Sequence, residues 1–420
     1  LPAPARDPAI IDPGISPAGR PAPRRSAASA RADSLRASGI RKILSRAATM
    51  PEAVNLTIGQ PDFPVPDAVR IAAIDAINAG RNGYTPNAGD AHLLRRINEF
   101  LAFDVGWNCK PAGTTGHAGP LSMVTTGTSG GLSLAFLSML DPGDECIIPD
   151  PYFVSYPELA TICNATAVAC ETGEDGLLTA ERVEPLITDR TRFVLFSTPS
   201  NPGGVVSPKR VCDDLTDLCR SKGLVLISDE IYDAFTFPDA RTDHRSGDAS
   251  ARCCPSPARR AGAEDTVLLI RGFGKTYGCT GWRMGYAAGP VWLLEAMSKF
   301  QQYVFVCAPT PLQLGAAACF DADMDPIVLD YQMRRDMIVN TLGPLAHIAP
   351  PGGAFYAWIR VPEHLGMTGA EFTELAASHG VLVVPGGVFS RHDTHFRISY
   401  ATDPARLARG LDILAGLMRR

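Results

Sequence analysis

Five side chains in the middle of the chain form an ordered series of reactive groups. They are Asn201 in "STPSNPGG", Asp229 and Tyr232 in "SDEIYDAF", and Lys275 and Arg283 in "RGFGKTYGCTGWRMGY". The Gly274-Lys275-Thr276 triplet gives the lysine two readings: it closes a phosphate-binding loop, or its amine does covalent chemistry. A nucleotide-phosphate loop needs a glycine five residues before the Gly-Lys-Thr glycine, so that backbone amides surround the phosphates. Position 269 is leucine, inside the apolar run "TVLLI". The acidic pair Asp229-Glu230, which would mimic the second motif of such enzymes, precedes the lysine instead of following it. The nucleotide reading fails on both counts.

The alternative is a site where an amine, a carboxylate, a phenol, an amide and a guanidinium converge. Pyridoxal 5′-phosphate requires this set. It takes a lysine for its Schiff base and a carboxylate for its pyridine nitrogen. Its 3′ oxygen needs hydrogen-bond donors, and its phosphate needs cations and backbone amides.

The elements that would position these groups follow from the pattern around them. Between about 122 and 290, short β-branched runs alternate with helical stretches. Strands are expected at "SMVTT" (122–126), "ECIIP" (145–149), "TAVAC" (166–170), "RFVLFS" (192–197), "LVLIS" (224–228) and "TVLLI" (266–270), with helices such as 129–140 and 208–222 between them. This alternation means crossovers and a mainly parallel sheet, in an α/β fold. Most of the reactive residues then fall at or just after the C-terminal ends of strands, the edge where open α/β sheets bind ligands. In "TGTSGG", a strand ends at Thr126 and a helix is expected from about Gly130, so the amides of Thr128 and Ser129 suit a phosphate. Further on, "AFYAWIRV", "VLVV" and "HFRISYA" read as strands among helices near 369–379 and 403–419, a smaller α+β unit on which residues 40–65 are expected to pack. Residues 239–263, polar and Pro-containing, read as a surface excursion of the large unit. Residues 1–36 are rich in Pro, Ala, Arg and Ser and read as a mobile tail.

Composition excludes several classes. The chain has 420 residues, 45% hydrophobic and 20% charged, with a net charge of −5. No basic excess points to nucleic acid. No apolar run reaches the roughly 18–20 residues of a membrane span. The eleven cysteines lack the spacing of a tetrahedral zinc site, and no metal is expected. Reduced thiols suit a cytoplasmic protein.

Taken together, "NLTIGQPDF", "YTPNAG", "TTGTSGGL", "PDPYFVSYPE", "STPSNPGG", "SDEIY", "GKTYGCTGWRMGY", "PGGAFY" and "FRISYA" resemble the class I, fold-type-I pyridoxal-phosphate aminotransferases, in the branch with prokaryotic aspartate aminotransferases. The resemblance runs from about residue 40 to 418. It implies a tail (1–39), a large domain (66–318) with a mainly parallel seven-stranded sheet flanked by helices, and a small α+β domain (40–65 with 319–420).

The resemblance also assigns roles. Lys275 carries the Schiff base and moves a proton. Asp229 faces the pyridine nitrogen. Asn201 and Tyr232 bind the 3′ oxygen, and Thr128, Ser129 and Arg283 bind the phosphate. Phe153 stacks on the ring. Arg397, a charge inside an apolar strand and costly without a partner, takes the substrate α-carboxylate with help from Gly59 and Asn201. Tyr84 reaches the phosphate of a neighbouring subunit, which implies a homodimer with a shared site. Gly272 and Gly274 stand where the family often has serines, which shifts phosphate binding onto other groups. The implied reaction is ping-pong transfer of an amino group between an L-amino acid, such as aspartate, an aromatic residue or alanine, and a 2-oxo acid. The apolar stretch "YVFVCAPT" (303–310) tilts the donor towards aromatic or aliphatic side chains. A C–S lyase on the same scaffold shares nearly all these residues. A transcription regulator built on this domain would need a basic helix-turn-helix domain, for which 1–36 are too short and proline-rich.

Overall fold

The computed structural model describes residues 28–35, Gly39 and 49–420. Most of the expected tail therefore lies outside the described residues. Its described part is a short helix, Ala30–Ser34, capped by the Ser29 side chain, where a mobile segment was expected.

The main sheet has eight strands. They are β2 (Lys110–Pro111), β3 (Leu121–Thr126), β4 (Glu145–Asp150), β5 (Thr166–Glu171), β6 (Thr191–Ser197), β7 (Val225–Asp229), β10 (Val267–Gly272) and β11 (Met284–Gly289); β1 (Val54–Asn55), β8 (Asp243–Arg245) and β9 (Asp248–Cys253) lie outside it. Their order is β2-β3-β11-β10-β7-β6-β4-β5. The expected count of seven is one short, because β2 is a two-residue edge strand with no pattern to read. β11 also escaped the pattern, since "MGYAAG" has no β-branched residue. It is the one strand antiparallel to its neighbours, pairing with both β10 and β3.

Residues along the central strands alternate between two cores. Val194, Phe196, Leu226 and Leu269 point to one face of the sheet, and Phe193, Leu195, Ile227 and Leu268 to the other. Both faces are covered, which explains the continuously apolar runs. The helix Lys209–Lys222 shows the local logic. Val211, Cys212, Leu215 and Cys219 form its buried stripe, and Gly223 ends it at φ +68°, a conformation glycine adopts without strain.

A third core belongs to the C-terminal part, where β12 (Tyr356–Arg360), β14 (Val384–Pro385) and β15 (His395–Ser399) form an antiparallel sheet in the order β12-β15-β14. The single expected strand "VLVV" is split into β13 (Val381–Leu382) and β14. β1 pairs in parallel with β13, and the Ser399 amide donates to Leu56 O, so the segment that follows β1 is laid along β15.

The excursion at 239–263 is not merely surface. The β8–β9 hairpin ends at the buried Cys253, and in the turn that follows Cys254, Ser256 and Ala258 are buried as well. Arg245 and Arg259 both donate to Asp104, at 2.6 and 2.8 Å. Asp104 also accepts from Arg271, which donates in turn to Glu230. Asp104, Glu230 and Arg271 are almost wholly buried. The arginines around Asp104 hold its carboxyl well below the usual range, against the opposing effect of burial. A charge left alone in such a place costs far more than the pair contributes. Arg271→Leu should therefore destabilise the chain by about 3–5 kcal/mol, measured by urea unfolding.

Candidate active site

The C-terminal ends of the parallel strands open onto one cavity of about 420 Å³. Its walls include Gly59, Thr128, Ser129, Phe153, Asn201, Asp229, Tyr232, Lys275, Arg283 and Arg397. Every residue singled out from the sequence is thus brought together except Tyr84, which is 87% exposed and lines no part of this cavity.

Each element delivers its residue by a simple rule. Asp229 is the last residue of β7, and Lys275 comes three positions after the end of β10. Asn201 follows β6, and Phe153 follows β4. Arg283 arrives differently. β11 runs antiparallel, so its beginning lies at the edge where the other strands end: Met284 pairs with Thr126, and Gly285 with Gly272.

Asp229 is buried. Its Oδ2 accepts from Tyr156 Oη at 2.8 Å and its Oδ1 from the Ile231 amide at 3.4 Å. Burial pushes its carboxyl up to about 6, in spite of these two donors. No cation pairs with it among the described residues. Lys275 Nζ donates to Gly59 O and lies 5.9 Å from the centre of the Phe355 ring.

Arg397 is also buried. Its Nη1 donates to Asn201 Oδ1 and its Nη2 to Thr57 O, each at 3.0 Å. The guanidinium carbon lies 4.4 and 4.5 Å from the centres of the Tyr356 and Phe389 rings. Its Nε is buried without a hydrogen-bond partner, and no carboxylate pairs with the guanidinium among the described residues. Burial lowers its hold on its proton. Because Asn201 Oδ1 accepts from Arg397, the Asn201 amide group is left to donate. Tyr232 Oη donates to Tyr356 Oη at 3.1 Å.

At the other end, the helix Gly127–Met139 starts three residues earlier than expected, so Thr128 and Ser129 lie in its first turn. Gly127 has φ +66°, and a Cβ there would sit 2.8 Å from Arg283 Nη2. Glycine thus admits the guanidinium to the positive end of the helix. Arg283 itself has φ +55° and donates from Nη1 to Thr280 O at 3.1 Å.

Tyr156, Tyr356, Ser197 and Thr57 also form or support this site, and none was singled out from the sequence. Tyr156 stands three positions after Phe153, the offset that puts two residues on one side of a helical turn; that spacing in "PYFVSY" was the available signal. The stretch 303–310 does not line the cavity: Tyr303 is 85% exposed.

Residues 51–414 match the family model of aminotransferase class I and II. The chain belongs to this family. It is 33% identical over 387 residues to the putative aminotransferase YugH of Bacillus subtilis, covering 90% of this chain and 94% of that protein. It is 32% identical over 396 residues to a probable aspartate aminotransferase of Methanocaldococcus jannaschii, covering 92% and 98%. Among solved structures, the aspartate aminotransferase of Thermus thermophilus with maleate superposes with a TM-score of 0.83 at 29% identity, covering 94% of this chain and all of that one.

Members of the family work with pyridoxal 5′-phosphate, and this chain is a transaminase that uses it. The residues present fit that group. A primary amine and a buried carboxylate that no cation among the described residues pairs with line one cavity, and a glycine cradle brings an arginine to a helix N-terminus. No group of three or more His, Cys, Asp or Glu among the described residues suits a metal ion.

The raised carboxyl of Asp229 has a consequence for stability. A carboxyl that is harder to ionise when folded favours the folded state fully below its unfolded pKa, near 3.8, and that benefit is lost as pH rises through about 6. In the cofactor-free chain at pH 7.5, Asp229→Asn should raise stability by about 2–3 kcal/mol. The gain should shrink steadily between pH 6 and 4, measured by thermal unfolding across that range.

Proposed function

We propose that the chain moves an amino group from L-amino acids with uncharged side chains to a 2-oxo acid, with Lys275, Asp229 and Tyr232 as catalytic residues. The observation that carries this reading is Arg397: a buried guanidinium with an unpartnered Nε and, among the described residues, no carboxylate partner, in the same cavity as the Lys275 amine. A planar fork matches an α-carboxylate with two parallel hydrogen bonds. When bound, the coenzyme supplies an aldehyde carbon that condenses with amines and a ring that accepts electrons from the donor's Cα–H bond.

The rest is done by the chain. Lys275 supplies the amine and moves the Cα proton. Asp229 holds positive charge on the ring nitrogen, since a buried carboxylate favours a neighbouring cation. Asn201 donates to the 3′ oxygen from its free amide, and Tyr232 does so once its hydroxyl turns away from Tyr356. The Thr128 and Ser129 amides and Arg283 hold the phosphate. Phe153 flanks the ring. Gly59 brings its backbone to the substrate carboxylate; a Cβ there would lie 2.9 Å from Tyr356 Oη.

The uncharged donor side chain is supported by the cations of the cavity. Within one chain, Lys275, Arg283 and Arg397 line it, and each already has a partner in this scheme; Ile58 and Gln60 line it as well. A homodimer is supported by an apolar face. Ile71, Ile74 and Ile77 on the helix Asp67–Asn78 are exposed, as are Tyr84 and Tyr303. Bonds from Thr310 to Gly83 O and from Gln301 to Asn87 O hold the Tyr84 loop beside Tyr303. In this reading Tyr84 reaches the phosphate of the second copy. The two sets of cores support the division into a large domain (66–318) and a small one (40–65 with 319–420). Eleven free cysteines support a reducing, cytoplasmic setting, and no helix among the described residues is long and apolar enough to cross a membrane.

Lys275→Ala should abolish the absorbance of the lysine-bound coenzyme and lower turnover by at least about a thousandfold. Arg397→Ala should raise KM for every donor by about a hundredfold, in keeping with lost charge-assisted bonds. In a donor panel followed by coenzyme absorbance, phenylalanine or leucine should exceed aspartate in kcat/KM. A clear preference for aspartate overturns the uncharged-donor reading, and full activity of Lys275→Ala overturns the covalent role.

A further inference from the structure

We infer that Tyr156 is a positioning residue for Asp229: its phenol keeps one carboxylate oxygen fixed and the group ionised, ready for a ring cation in the cavity. The inference rests on the proposed role of Asp229 and goes beyond it.

Tyr156 lies in the helix Ser155–Ile162 with its ring 1% exposed. Its hydroxyl reaches Asp229 Oδ2 at 2.8 Å, and Ser197 lines the same cavity beside it. Phe153 packs edge-on against the Tyr156 ring, with centroids 5.7 Å apart, which limits its swing. Tyr156 is also part of a partition. With Ser197 and Asn201 it lines both the cavity of about 420 Å³ and a neighbouring one of about 250 Å³. Phenylalanine would keep that wall and remove only the donor.

The titratable and charged groups around Asp229 can be named. Glu230 follows it on the chain and is engaged by Arg271, Ser228 and Ser256. Tyr232 faces it from the next turn, and Lys275 lines the same cavity. Of these, Tyr156 is the one whose side chain donates directly to the Asp229 carboxylate. Removing it leaves Oδ2 without that bond and makes the carboxylate easier to protonate.

The probe is pyridoxamine 5′-phosphate, which has the ring nitrogen and the phosphate but forms no Schiff base with Lys275. Its dissociation constant is measured by intrinsic fluorescence from pH 5 to 8.5, for the wild-type chain and Tyr156→Phe. The probe's own phosphate titration is common to both and cancels in the comparison. Wild-type affinity should weaken as pH falls through about 6. In Tyr156→Phe the same fall should begin about one pH unit higher. The variant is then about tenfold weaker at pH 5.5, and within about threefold of wild type at pH 8.5. In the background of Asp229→Asn, the substitution at 156 should have no pH-dependent effect.

An equal loss at every pH, or no difference at any pH, overturns the positioning role while leaving the functional reading intact. So does a pH-dependent effect that persists in Asp229→Asn. Failure of the wild-type chain to bind the probe even at pH 8.5 overturns both. Should Tyr156→Phe not fold, Ser197→Ala removes the hydroxyl that favours the ionised phenol and should move the midpoint in the same direction by less. An unmoved midpoint there overturns the inference as well.

Discussion

A carboxylate buried at the end of a central strand is the constraint around which this structure is arranged. Asp229 sits where β7 leaves the sheet, out of water and, among the described residues, without a cation of its own. Burying such a group is unfavourable by several kcal/mol unless something in the site answers its charge. The neighbouring acid makes the contrast plain. Glu230, one residue on, is equally buried but is engaged by Arg271 and two serine hydroxyls. The fold neutralises the acid that faces its interior and leaves the one that faces the cavity without a counter-ion.

The same asymmetry appears among the cations. Arg271 and Arg259 have carboxylate partners within the chain. Arg397 is just as buried, yet among the described residues it meets an amide oxygen, a carbonyl and two aromatic rings and no carboxylate. Aromatic faces stabilise a guanidinium without neutralising it. A cavity with an unanswered acid on one wall and an unanswered base on another is suited to a ligand that carries the opposite charge at each of those points.

How far the sequence could be read depended on the range of the interaction. The parallel strands were legible because burial on both faces leaves continuous apolar runs, as in "RFVLFS" and "TVLLI". The convergence of Asn201, Asp229 and Lys275 followed from their places just after such runs. β2 and β11 were not legible. One is too short for a pattern, and the other has no β-branched residue and four small ones, Gly285, Ala287, Ala288 and Gly289. The burial of the 239–263 segment was hidden for another reason. Its arginines pair with Asp104, more than a hundred positions away, and only the folded chain makes that contact. The Tyr156–Asp229 bond belongs to the same class.

The antiparallel course of β11 has one more consequence. Because β10 and β11 are neighbours joined by a short link, the amine that would react and the guanidinium at the far end of the cavity belong to a single hairpin. The span between those two groups has to equal the length of a small rigid molecule, and the spacer that sets it is the chain between Gly272 and Met284. Such a ruler tolerates side-chain exchange more easily than a change in length: adding or deleting one residue there would leave both groups chemically intact and a fixed distance wrong.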